Sequence, residues 1–376
     1  MSELVEGSLK GIKVLDFSTL LPGPLASLFL AETGAEVIKI EKPLIGDEMR
    51  SSYPKWNDES ISFSMLNRGK KSLCLDLKDK NSLKVLKPLI EKADILIEQF
   101  RPGVMKRLGL DYANIKKINN KIIYVSITGY GQTGPKKMLA GHDLNYIGNT
   151  GLLSLSMGSD ENTTVPPALV ADIAGGSYPA IINILLALRK RDLHQKGSYL
   201  DISMSDNLFP FMFWALGSGF VKNKWPINSD SLLSGGSPRY NIYQTKDGSY
   251  IAAAPLEDRF WKKFCEVIKL PNKFINMQNN QNVIIKRIRN IIISKDKNYW
   301  TKVFDEADCC CSTVKSIEEA INDNHFKIRN IFEKKIANDK GEELPALPIP
   351  IDNQFRKKKI VEKAPKLGFD NDTLYK

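Results

Sequence analysis

Short apolar runs alternate with stretches of helical periodicity through the first two hundred or so residues. Residues 12–17 read as a buried strand, and 36–41, 72–77, 94–98, 122–127 and 199–203 each read as a further strand. Between the first two runs, Pro22-Gly23-Pro24 turns the chain into a helix over residues 25–32. Pro24 suits its first turn and Gly34 its end. Residues 81–92 have an amphipathic helical pattern, with a kink expected at Pro88. Residues 172–189 predict a long helix, and its most apolar part, 180–188, is too short to span a bilayer and suits a buried position. Strands alternating with helices predict an α/β fold, a Rossmann-like doubly wound sheet whose ligands bind beyond the carboxyl ends of its strands. The first βα turn lacks G-x-G-x-x-G, so no nicotinamide cofactor is indicated.

The pattern changes further on. Phe209, Phe211, Phe213 and Trp214 form an aromatic stripe on a predicted helix, suited to a core or a subunit interface rather than a cofactor box. A polar, turn-rich stretch follows, then strands at 242–244 and 250–253 and lysine-rich helices. The expected organisation is a large α/β domain over 1–225, a linker over 226–239 and a smaller α+β domain over 240–330. The segment 331–376, with Pro345, Pro348 and Pro350, is expected to be extended and to return to the large domain.

An apolar share of 42% supports real cores, and the net charge of +11 favours anionic ligands. Basic residues fall in the turns after the predicted strands: Lys42, Lys78, Arg101 and Arg107. No RNP-type strand or zinc-finger spacing accompanies the charge, so a nucleic-acid partner is not expected. The five cysteines are odd in number, and Cys309, Cys310 and Cys311 are adjacent. That is poor geometry for a disulfide framework, and no C-x-x-C pair is present for zinc. A reducing, cytoplasmic compartment is expected, with the three adjacent cysteines as plain buried thiols. Met1 to Gly7 is acidic with no signal-peptide pattern, and residues 373–376 are not a Ser-Lys-Leu address.

The chemistry concentrates in Gly141-His142-Asp143, which sets one of three histidines beside a carboxylate just after a Gly/Pro-rich turn. Histidine titrates nearest neutrality and is the default general base. A second acid, Asp172, opens the long helix. Taken alone, His142 also suits a surface loop, and Asp172 also suits a helix cap.

The wider pattern supplies the frame. Leu9 to Phe17, Pro22-Gly23-Pro24 and Gly34 to Pro43 resemble the opening of the family III CoA-transferase superfamily. Asn67 to Ser72, Phe100-Arg101-Pro102-Gly103-Val104 and Ser126 to Pro135 continue that resemblance in order. Gly141-His142-Asp143-Leu144-Asn145-Tyr146 is similar to the alpha-methylacyl-CoA racemases within it, whereas the transferases usually carry an aromatic residue at the histidine position. The racemases also carry a glutamate in the small domain, which Glu257 matches.

The resemblance implies inversion at the carbon alpha to a thioester. His142 and Asp172 would serve opposite faces of that carbon, and Glu257 would orient His142. Backbone N–H groups near Asp143 would face the thioester oxygen. It implies coenzyme A contacts at Lys42, Leu75, Asp76, Leu77, Lys78, Gln99, Phe100, Arg101 and Arg107, and at Gly141, Asp143, Leu144, Asn145 and Tyr146. It further implies no metal or separate cofactor, no membrane partner and an interlocked homodimer in which Glu257 acts in trans. Two departures stand out: Glu257-Asp258-Arg259-Phe260 replaces the usual Glu-Pro-Gln-Phe, and Lys42 replaces an arginine, losing the bidentate fork. A CoA-transferase using Asp172 as nucleophile is the alternative, and an inactive CoA- or RNA-binding protein a third.

Overall fold

A computed structural model describes residues 7–159, 162–275 and 280–375. The acidic start at Met1 to Glu6 and the final Lys376 therefore lie outside the described residues. The chain forms two compact units.

The first unit comprises the described residues of Met1–Thr150, Ala168–Pro210 and Asn330–Lys376. Its centre is a six-stranded sheet of β1 (Lys13–Asp16), β2 (Glu36–Glu41), β3 (Lys71–Cys74), β4 (Ile95–Glu98), β5 (Ile123–Thr128) and β6 (Ser198–Ser203), in the order β3-β2-β1-β4-β5-β6. Every pairing is parallel, so all six carboxyl ends emerge along one edge. Strands β2, β4 and β5 are almost wholly buried because helices and loops cover both faces, whereas the edge strand β6 is partly exposed. Leu15, Leu73, Leu96 and Tyr124 pack with Leu86 and Ile90 of α2 (Ser82–Lys92) on one side. Leu25, Leu28 and Phe29 of α1 (Pro22–Glu32) pack with Leu66 and Ile349 in a separate cluster.

Charge is also buried here. Lys39 pairs with Asp47 at 2.8 Å and Lys70 with Asp16 at 3.4 Å, all four side chains sealed from solvent. Burial alone would raise Asp16, but Lys39, Lys70 and the Ser18 and Ser27 hydroxyls hold it down at about 2. Lys39 Nζ also donates to the Ser18 carbonyl at 2.7 Å, and Asp47 Oδ1 accepts the Leu20 N–H at 3.0 Å. The network thereby fixes the loop that leaves β1. Removing one partner would strand the other charge at a cost of about 3–5 kcal/mol.

The long helix begins earlier and ends later than its apolar pattern indicated. A π-helical stretch, Ala171–Ser177, runs into the helix Tyr178–His194. Together they make 24 residues, long and apolar enough by length and composition to cross a membrane, which corrects the expectation drawn from 180–188 alone. One face packs on α1, β5 and β6 through Ala180, Ile184 and Ala187, while Ile182, Leu185 and Leu186 are exposed. The stretch lies so close to the end of β6 that a Cβ added at Gly175 would sit 2.3 Å from the Met204 carbonyl oxygen.

The segment from Asn330 onward belongs to this first unit. Asp370 and Asn371 accept the Ser72 and Cys74 N–H groups at 2.9 and 2.8 Å, which protects the edge strand β3.

The second unit comprises the described residues of Gly151–Pro167 and Phe211–Arg329. Residues 151–167 and 211–225 thus group here, not with the large domain to which the sequence pattern assigned them. Leu155 clusters with Met212 and Ala215, and the Met157 N–H donates to Asn228 Oδ1 at 3.0 Å. Nor is 226–239 a free linker. The Tyr243 hydroxyl donates to the Pro238 carbonyl at 2.9 Å, and the Asn241 amide to the Gly235 carbonyl at 2.7 Å.

Three antiparallel strands, Asn241–Gln244, Tyr250–Ala253 and Cys311–Thr313, back a core that includes Trp261, Phe264, Trp300 and Phe304. The cysteines are all free. Cys309 is buried, but Cys311 is half-buried and Cys310 exposed at φ +55°, so the three are not uniformly buried thiols. The predicted aromatic helix is broken at Pro210: a 3-10 stretch, Asp206–Met212, precedes the helix Phe213–Lys222. Phe209, Phe211 and Phe213 are exposed at 44%, 48% and 72%, which rules out a core role within the chain.

Candidate functional site

In a doubly wound sheet the crevice forms where the strand order reverses. Here that is the carboxyl ends of β1 and β4. A cavity of about 210 Å³ lies there, walled by Leu20, Leu21 and Pro22 after β1, by Gln99 to Pro102 after β4, by the end of β5 and by Met204 after β6. His142 and Asp172 both line it.

The wall after β4 is tied down from two sides. Gln99 Oε1 accepts the Gly23 N–H at 2.9 Å, joining the loop to the start of α1. Glu98 Oε2 accepts the Phe100 N–H at 2.8 Å. Burial pushes the Glu98 carboxyl up to about 7, against the hydrogen bonds from Ser126 and Phe100 that favour its charged form. The strand pattern gave no warning of this group.

His142 is exposed and stands at the cap position of α3 (Asp143–Asn149). Its backbone starts the helix: its N–H donates to Asn145 Oδ1 at 3.0 Å, and its carbonyl accepts the Asn145 N–H at 2.8 Å. The imidazole stands beside the first turn of the helix as part of its capping box and lines the cavity. Tyr146 is buried beneath this turn, its hydroxyl donating to the Gly141 carbonyl at 2.5 Å. Glycine at 129 makes room for that ring, since a Cβ there would lie 2.3 Å from it.

Asp172 is half-buried, and its N–H donates to Asp143 Oδ1 at 3.0 Å. Burial and the neighbouring Asp143 charge push the Asp172 carboxyl up to about 6, with His142 partly offsetting them. The Asp143 side chain, 5% exposed, therefore both anchors the Asp172 backbone and tunes its carboxyl. A base held at about 6 is ionised only above that pH, so activity that needs it should fall on the acid side near 6. Asp143→Asn keeps a hydrogen-bond acceptor but removes the like charge. It should move that acid limb to lower pH, as a kcat/KM profile would record; an unmoved limb would assign it to another group.

The other expected contacts lie outside this cavity. Lys42, Leu75, Asp76, Leu77, Lys78 and Arg107 follow the carboxyl ends of β2, β3 and β4, on the same edge of the sheet. Lys42 pairs with Glu48 at 2.5 Å. Leu75 is part of the core and Leu77 packs against it. Asp76 Oδ1 accepts the Lys78 N–H at 2.9 Å, and Arg107 and Leu144 are exposed. Asn145 directs its side-chain oxygen to the His142 backbone. Glu257 precedes the helix Asp258–Val267 in the second unit, its side chain exposed and making no capping bond. Beside it, Asp258 pairs with Arg239 at 2.6 Å and Arg259 lies over the Phe260 ring at 4.4 Å, so both unusual charges have local partners. Among the described residues no cluster of His, Cys, Asp or Glu could hold a metal ion.

A sheet with its crevice at the switch point, holding a histidine and a tuned aspartate, is the frame in which the comparisons fall. CoA-transferase family III matches residues 9–371, and the chain belongs to that family. It is 31% identical to the alpha-methylacyl-CoA racemase of Homo sapiens, over 98% of this chain and 95% of that protein. It is 30% identical to the acetyl-CoA:oxalate CoA-transferase of Acetobacter aceti, over 92% and 90%. A CAIB/BAIF family protein from Brucella suis superposes with a TM-score of 0.82 at 25% identity, covering 98% of both chains. Racemases and transferases are thus about equally similar to this chain.

Proposed function

We propose that the protein is an epimerase of 2-methyl-branched acyl-CoA thioesters. The observation that carries this reading is the pairing, in one cavity, of an exposed imidazole with a carboxyl held at about 6. One group takes the α-proton as a base and leaves a thioester enolate. The other, protonated beforehand, delivers a proton to the opposite face, and the net proton count is unchanged. The developing charge on the thioester oxygen needs donors already in place, and the Asp143 N–H at the start of α3 is assigned that part. Glu257 is assigned the orientation of His142, contributed by the second chain of an interlocked homodimer. Its support is the racemase-like sequence together with the exposed Ile182, Leu186, Phe211 and Phe213, apolar surface suited to burial between subunits. Coenzyme A enters as part of the substrate, its phosphates meeting Lys42, Lys78, Arg101 and Arg107, and no metal or redox group is required. The setting proposed is cytoplasmic.

The second reading is CoA transfer. Asp172 would attack the thioester carbonyl and form an acyl-aspartyl anhydride as CoA thiolate leaves. The thiolate would then attack the Asp172 carbonyl, freeing the donor acid and leaving an aspartyl-CoA thioester, from which an acceptor carboxylate takes CoA by the reverse steps. The half-buried carboxyl and the similarity to the oxalate transferase favour it. One experiment divides the two. In deuterated water, with 2-methylbutanoyl-CoA and no acceptor acid, epimerisation introduces deuterium at the α-carbon. Transfer of CoA to an added carboxylate without any α-exchange would overturn the first reading.

A further inference from the structure

One row of side chains crosses the sheet beside the cavity. Glu98 of β4 lies opposite Ser126 of β5 in the register, and Ser126 lies opposite Asp201 of β6. The two outer members are acids, and each bonds to the backbone of a loop that walls the cavity. Glu98 Oε2 accepts the Phe100 N–H at 2.8 Å in the loop after β4. Both Asp201 oxygens accept the Gln132 N–H, at 3.0 and 3.2 Å, in the loop after β5. Gly131, at φ +77°, brings that second loop over the Asp201 carboxylate. Stability alone does not account for two acids in one row. Glu98 is 3% exposed, and burial and the Asp201 charge both disfavour its ionised form, against the Ser126 hydroxyl and the Phe100 N–H.

Both loops converge on the turn that presents His142. The loop after β4 carries Arg101, which is exposed and whose charge acts on the Tyr146 hydroxyl. The loop after β5 carries Tyr130, whose ring meets Tyr146 edge-on at 5.2 Å. Tyr146 bonds to the Gly141 carbonyl, next to His142. We propose that Glu98 and Asp201 are positioning residues that hold the two wall loops by their backbone N–H groups, setting Arg101 and Tyr130 in place before substrate enters. This rests on the acyl-CoA reading above, in which Arg101 meets a phosphate. A loop fixed beforehand need not be ordered at the expense of binding. Neither acid is assigned a contact with the reacting atoms, so their loss weakens the binding of substrate and transition state alike and acts on KM rather than kcat.

The test compares Glu98→Ala and Asp201→Ala, which lose the acceptor, with Glu98→Gln and Asp201→Asn, which keep one. Each alanine variant should raise the Kd for CoA and the KM for 2-methylbutanoyl-CoA about tenfold and leave kcat within about threefold. The amide variants should stay within about twofold of wild type in all three. Alanine variants within about twofold in Kd and KM overturn the proposal. Amide variants that lose as much as the alanine variants also overturn it, because the charge and not the N–H bond then matters. Amide hydrogen exchange on free wild type gives a readout that needs no variant to fold. The Phe100 and Gln132 N–H groups should be protected, and exchange as fast as in an unstructured chain would overturn the proposal. Titration of wild type with CoA separates the two levels of failure. Wild type that binds CoA while the alanine variants match it sinks only the roles of Glu98 and Asp201. Wild type that neither binds CoA nor exchanges the α-proton sinks the acyl-CoA reading and the positioning roles with it.

Discussion

Asp172→Asn should lower epimerisation by about a thousandfold while leaving the protein folded and at least as stable as wild type at neutral pH. The activity loss follows because an amide cannot carry a proton between solvent and the α-carbon. The stability result follows from the direction of the pKa shift. Asp172 in the folded chain sits at about 6, above the ordinary carboxyl value of 3.8. Its contribution to stability is complete below that ordinary value and is lost as pH rises through about 6. Asparagine does not titrate and escapes the loss. Melting curves at about pH 5 and about pH 8 should therefore show the variant gaining on wild type at the higher pH. A structural cap would behave differently: its removal would lower the melting temperature at both values. The amide N–H of residue 172 keeps its bond to Asp143 in the variant, so the local backbone has no reason to move.

His142→Ala should reduce epimerisation by about a hundredfold to a thousandfold with only a small effect on stability, about 1 kcal/mol or less. The imidazole is exposed, and alanine retains the backbone bonds that start α3 and loses only the side-chain part of the capping box. Kinetics with a pure epimer and a thermal melt measure both parts. Retention of wild-type epimerisation would remove His142 from the chemistry. Transfer of CoA to an acceptor acid, if the protein performs it, needs Asp172 but not the imidazole, so the same variant separates the two readings.

Much of the architecture was legible because parallel strands buried on both faces read as continuous apolar runs. Residues 36–41 match β2 at both ends. The run at 72–77 outlasts β3, which ends at Cys74, because Leu75 and Leu77 still pack on the core beyond the last paired residue. Helix periodicity found the long helix but not its π-helical opening, which depends on the close approach of Gly175 to Met204. The unit boundaries were less legible. Residues 151–167 join the second unit through partners such as Asn228, some seventy positions away, and no local pattern announces them.

The site divides in the same way. His142 and Asp172 carry chemistry in their residue types and could be named in advance. The Asp143 carboxylate was undervalued, since its role depends on an N–H 29 residues further on. Glu98 ends its strand and looks like an ordinary β residue until its burial and bonding are known. The reversal of strand order that places the crevice after β1, where Leu20, Leu21 and Pro22 lie, belongs to the folded sheet and is written in no local pattern.

The central claim is that one cavity holds two bases for opposite faces of one carbon. Its most direct test is α-proton exchange in deuterated water, measured separately on each pure 2-methylacyl-CoA epimer with His142→Ala and with Asp172→Asn. Each variant keeps one base, so each should exchange the proton of one epimer without inverting it, and the two variants should act on opposite epimers. If both variants exchange the same epimer, or if either interconverts the epimers at the wild-type rate, the two-base account is wrong.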